Sequence, residues 1–107
     1  MTTSSTIKNL RTLRSHSESL WNTAVNTAGL VDCGERYDAR REQVAAEARD
    51  SALACWDAAI AAVESGALAR ALDELEAASQ LAAAWGDSSP ELKALALLEA
   101  LREAATA

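Results

Sequence analysis

The chain has no phenylalanine, one tyrosine, one proline and one histidine, with four glycines and two cysteines in 107 residues. Each scarcity excludes something. Two cysteines, Cys33 and Cys55, do not make a disulfide framework, and a cytosolic chain with reduced thiols is the expectation. With His16 as the single histidine, on the polar side of its helix, no Cys/His cluster has metal-ligand spacing. The Glu-x-x-His pairs of a di-metal bundle are missing for the same reason. No glycine-rich phosphate loop and no nucleophile elbow is present. The expectation is therefore a chain that is not an enzyme and takes no metal and no cofactor. The N-terminal MTTSSTIKN lacks the apolar region of a signal peptide, and no apolar run approaches the ~20 residues of a membrane span. Strand formers are sparse and scattered, so a sheet is not expected.

What is abundant is alanine, at 26 of the 107 residues. Alanine has the best helix propensity and no side-chain entropy to lose. Half of all residues are hydrophobic, which argues against disorder. The expected fold is all-α: one domain, 1–107, built as a compact bundle of about four antiparallel helices. The periodicity places helices over approximately 6–28, 33–65, 67–85 and 90–104, behind a polar leader at 1–5.

The organising stretch is residues 38–65. Val44, Ala45, Ala48, Ala52, Leu53, Cys55, Trp56, Ala59, Ile60 and Val63 cover one half of its helical wheel. Glu47, Asp50, Asp57 and Glu64 cover the other. The first helix carries an apolar side of Ile7, Leu10, Leu13, Ser17, Leu20, Trp21, Ala24, Val25 and Ala28. Ser4, Ser5 or Thr6 can cap it, and Gly29 ends it. The second helix has two possible starts. Asp32 and Glu35 have capping-box spacing, which favours a start near Cys33, while Gly34 weakens that first turn and favours Asp38. Leu68, Ala71, Leu72, Leu75, Ala78 and Ala82 point the third helix inward, and Gly86 terminates it. Ser89, Pro90 and Glu91 mark the last boundary: a cap, a proline where its missing N–H costs nothing, and an acid suited to the positive helix end. Leu92, Leu95, Leu97, Leu98 and Leu101 cover most of the fourth helix, implying burial between neighbours or at a dimer contact. Trp21 and Trp56 read as core anchors. Trp85, at a helix end, is a candidate contact residue.

Charge is uneven. Residues 1–41 hold six basic groups and four acids (+2), and residues 42–107 hold four basic groups and twelve acids (−8), which together make the net −6. An acidic body repels phosphates, so direct nucleic-acid binding is not expected, whereas a basic protein is a fitting partner. Asp50, Asp57 and Glu64 recur every seven residues and line one side of a helix, and Glu47 extends the row. Asp73 and Glu76 continue it if the third helix packs beside the second. Few bases interrupt it. Such a face suits Lys and Arg groups that normally hold phosphates.

Two resemblances follow. Gly66-x-Leu68-x-x-Ala71-Leu72-x-x-Leu75-x-x-Ala78 is similar to the second helix of a tetratricopeptide repeat, over half of one repeat. It lacks the repeat's proline at the matching distance and any second copy at the 34-residue period. This supports an adaptor or scaffold module, self-associating through its fourth helix, as the alternative reading. The whole chain, by its short Ala-rich helical body and its acids Glu47, Asp50, Asp57, Glu64, Asp73 and Glu76, resembles small anti-CRISPR proteins, most of all the helical inhibitors of type I systems. That resemblance implies a phage protein in the bacterial cytoplasm. Its acidic face would block a basic, nucleic-acid-handling Cas protein or ribonucleoprotein complex.

Overall fold

The computed structural model describes residues 2–31 and 36–106. Four helices carry it: α1 (Thr3–Ala28), α2 (Ala39–Glu64), α3 (Leu68–Trp85) and α4 (Ser89–Thr106). Between α1 and α2 run two short antiparallel strands, β1 (Leu30–Val31) and β2 (Arg36–Tyr37), with Leu30 opposite Tyr37 and Val31 opposite Arg36.

The helix starts differ from expectation in informative ways. The supposed polar leader is the first turn of α1. Thr2 is its cap and accepts a hydrogen bond from the Ser5 N–H at 3.1 Å. Thr6 is buried instead, its hydroxyl turned back to the Thr2 carbonyl at 3.0 Å. The second helix takes the later of its two starts. Asp38 caps α2 by accepting from the Arg40 and Arg41 N–H groups at 3.0 and 3.2 Å. The Asp32/Glu35 capping box and Cys33 lie outside the described residues. Helix α4 begins one residue early, at Ser89. The Asp87 carboxylate accepts from both the hydroxyl and the N–H of Ser89, the latter at 2.8 Å. These bonds, with a smaller contribution from Lys93, hold the Asp87 carboxyl below the usual carboxylate range. Replacing Asp38 by alanine removes the acceptor for two orphan helix N–H groups. The expected loss is about 1 kcal/mol, to be read as a lowered midpoint of thermal unfolding by circular dichroism.

Three glycines punctuate the turns for two reasons. Gly66 and Gly86 have φ of +82° and +140°, which a side chain disfavours. Gly29 ends α1 as expected, but with φ of −75°, which needs no glycine. It is glycine because space is short: a Cβ there would lie 2.7 Å from the Tyr37 ring.

The helices pack in a closed up-down-up-down ring, each against its neighbours in sequence and α4 back against α1. Trp56, Leu10, Leu75, Leu98 and Val63 form the core, with the alanines 59, 71, 78 and 94 fully buried among them. These alanines let the axes approach closely. A second cluster holds Trp21, Ala52 and Ala82, with Ala48 and Trp85 packed on it. Trp21 and Trp56 are thus the core anchors their positions implied.

The molecule measures 56 × 18 × 17 Å. Part of its length comes from unequal helices. Helices α1 and α2 have 26 residues each, and α3 and α4 have 18. Eight further residues, at 1.5 Å rise, add about 12 Å. Because Trp85 at the end of α3 meets Trp21, Ala48 and Ala52, residues 22–28 of α1 and 39–47 of α2 project beyond the shorter pair. One end is therefore a four-helix bundle and the other a two-helix hairpin.

Candidate binding surface

All six acids singled out from the sequence, Glu47, Asp50, Asp57, Glu64, Asp73 and Glu76, are exposed. They do not form one bare row. Arg14 of α1 grips Asp57, with Nε 2.7 Å from Oδ1 and Nη2 3.4 Å from Oδ2. Arg11, one turn earlier, reaches Glu64 at 3.1 Å. Arg49 meets Asp50 at 3.1 Å and also donates to the Asn22 amide oxygen at 3.1 Å. The expectation of few compensating bases is corrected here: each member of the seven-residue repeat has its own arginine. Arg14 also bonds Glu18 at 3.1 Å. Desolvation acts against its charged form, but Asp57 and then Glu18 outweigh it and raise the guanidinium above its ordinary value. Such exposed pairs contribute about 0–1 kcal/mol each. Their main consequence is that the repeat faces α1.

The row is not continued by α3. Helix α3 does pack beside α2, but on the other flank. Cys55 lies about 160° around α2 from Asp57, close enough to Glu74 of α3 for that carboxylate to act on its thiol. Burial, then the Glu74 carboxylate, pushes this thiol up from its ordinary value. Asp73 stands across α3 from the fully buried Leu75, and Glu76 on the flank opposite Glu74. The six acids therefore divide between two sides of the molecule. Among the described residues, Glu47 accepts only from the Gln43 amide at 3.4 Å, and no cation bridges it, Asp73 or Glu76.

Trp85 is half-buried rather than free. With Trp21, Leu20, Ala24, Thr27, Ala82, Gly86 and Asp87 it walls a cleft of 250 Å³ just above the α3–α4 turn. The Trp21 indole N–H is buried there without an acceptor among the described residues. Among the described residues, the exposed large apolar side chains are Leu20, Leu30, Tyr37, Val44 and Leu92. The first four belong to the projecting hairpin or its base, and Leu92 opens α4 at the same level. The other α4 leucines are spoken for: Leu98 and Leu101 are buried, and Leu95 packs on them. Leu97 and Leu13 both line a shallow groove between α1 and α4.

One important group escaped the sequence reading. Glu91, expected as an acid suited to the positive end of α4, is fully buried. Its Oε2 accepts from the Trp56 indole N–H at 2.8 Å and from the Ser17 hydroxyl. Its Oε1 is buried with no partner. The available signal was Ser17, a polar residue on the apolar side of α1 that had to find an acceptor inside.

Among the described residues, no group of three His, Cys, Asp or Glu side chains is placed to hold a metal ion. No helix among them is long and apolar enough to cross a membrane. Comparison of the chain with protein-family models, with curated proteins and with solved structures finds no match.

Proposed function

We propose that the chain is a non-enzymatic binding protein that engages a basic protein or ribonucleoprotein, in the manner of the helical type I anti-CRISPR inhibitors it resembles. One observation carries this reading. Within a net charge of −6, the carboxylates of Glu47, Asp73 and Glu76 are exposed and unbridged among the described residues, while Asp50, Asp57 and Glu64 are already held by arginines. Unbridged carboxylates are the ones available to Lys and Arg groups that otherwise hold phosphate. The contact set therefore shifts toward Glu47, Asp73 and Glu76.

The test is phage plating on a bacterium with an active type I system, with and without the chain expressed. Expression should restore plaques. The triple variant Glu47→Lys, Asp73→Lys, Glu76→Lys should lose protection while keeping its helical circular dichroism, since substitutions at exposed sites change stability little. Reversing Asp50, Asp57 and Glu64 instead would set lysines against Arg49, Arg14 and Arg11 and should lower stability as well. No protection by the parent chain, or full protection by the first triple variant, overturns the reading.

A further inference from the structure

We propose that the two-helix end of this chain is completed by the same end of a second copy, so that the protein is a twofold dimer joined through the projecting hairpins. The inference is independent of the acidic contact above. It starts from two stripes. On α1, Leu13 belongs to the stripe facing α4, and Leu20, Ala24 and Thr27 continue that stripe beyond the start of α4. On α2, Cys55 belongs to the stripe facing α3; Ala48 follows at the level of the end of α3, and Val44 and Arg41 continue the stripe beyond it. Lower down these stripes are covered by α3 and α4. Higher up the same stripes run on uncovered, with Leu20 39 % and Val44 48 % exposed. A pair of helices laid across them extends the bundle, and the α1–α2 hairpin of another copy is such a pair.

The surface is also complementary to itself, which a twofold contact requires. At the outer end of the hairpin stand two apolar projections, Leu30 at 49 % and Tyr37 at 60 % exposed. At its base lies the cleft walled by Trp21 and Trp85. A twofold axis through the middle of the hairpin sets the projections of each copy against the cleft of the other. Apolar side chains seated in aromatic pockets are what anchors an interface. Charge follows the same order. Arg40 and Arg41, which no acidic side chain among the described residues bridges, lie toward the outer end, and Asp87 lies at the mouth of the cleft. The same axis brings Arg41 of each copy toward Asp87 of the other. The α1 side of this surface carries no charge at all from residue 19 to residue 31 in a chain that is 24 % charged, so the α1 half of the contact strands no charge.

Sedimentation equilibrium from micromolar to millimolar chain is the test. The expected mass rises from 11.3 kDa toward twice that value. Val44→Asp should hold the chain monomeric with unchanged helical circular dichroism, because Val44 is half exposed and its loss leaves no core cavity. Arg41→Glu should weaken the dimer about tenfold or more. Adding Asp87→Lys to it should recover most of that loss, which a merely unfolded variant would not do. A monomer at every concentration overturns the proposal. So does a dimer that Val44→Asp leaves intact, or a charge exchange that restores nothing.

Discussion

Replacing Glu91 by leucine should destabilise the protein by about 2 to 4 kcal/mol, read as a fall in the denaturant midpoint at unchanged slope. Two donors depend on this carboxylate, the Trp56 indole N–H and the Ser17 hydroxyl, and both are buried with it. Leucine fills much of the space but accepts nothing. Each buried donor left unmet costs about 1–3 kcal/mol. The position also lies in the first turn of α4, where a negative group is favoured by the helix end. A combined variant separates the cause from mere packing. In Ser17→Ala, Trp56→Phe, Glu91→Leu the donors and the acceptor leave together. Buried polar groups exchanged jointly for apolar ones are often neutral or stabilising. The combined variant should therefore be more stable than Glu91→Leu alone. If it is less stable, the cost at Glu91 is one of shape and the hydrogen-bond account fails.

Trp56→Ala should be the most damaging single substitution. Trp56 is the largest fully buried side chain and is fully covered by its neighbours. Truncating a core tryptophan costs about 3–5 kcal/mol through lost burial and the cavity left behind. Here the loss also strips Glu91 of its best-defined donor, leaving a buried carboxyl held by Ser17 alone. For a domain whose total stability is of the order of 5–15 kcal/mol, this removes about a fifth of it or more. Urea unfolding followed by tryptophan fluorescence, with Trp21 and Trp85 as remaining reporters, measures it. A loss under about 2 kcal/mol would mean that the core closes around the missing ring. The two substitutions share one contact, so Trp56→Ala and Glu91→Leu should not add. Their coupling measures the indole–carboxylate bond directly.

The four helices, their order and their antiparallel packing were legible because each carries a 3.6-residue apolar period and the turns are short. The helix starts were less so. Ser4, Ser5, Thr6 and Thr2 all offer a capping oxygen, and only the backbone entering at Thr2 selects among them. The acidic side of α2 was legible as a side, but not as a paired one. Arg11 with Glu64, Arg14 with Asp57 and Asn22 with Arg49 meet because α1 and α2 run antiparallel in one register. That register depends on where α2 begins. A start near Cys33 or at Asp38 differs by more than a full turn, enough to bring different residues opposite Arg11 and Arg14. Placing Asp73 and Glu76 beside the row failed for a related reason. Adjacency of α3 to α2 says nothing of which flank α3 occupies, and Cys55 against Glu74 puts it on the far one. Glu91 was misread because local rules favour an acid at a helix start whether or not the start is buried.

The ring of helices closes only where α4 returns to α1, and its closing bond joins Ser17 to Glu91 across 74 positions. Every other packed pair is made of consecutive segments, so three of the four contacts form over short loops at little entropic expense. Such topologies reach the native state in microseconds to milliseconds. The entropy of the long closure falls on a single docking event. The carboxylate that completes it thus acts as a latch on a structure whose hairpins can assemble beforehand.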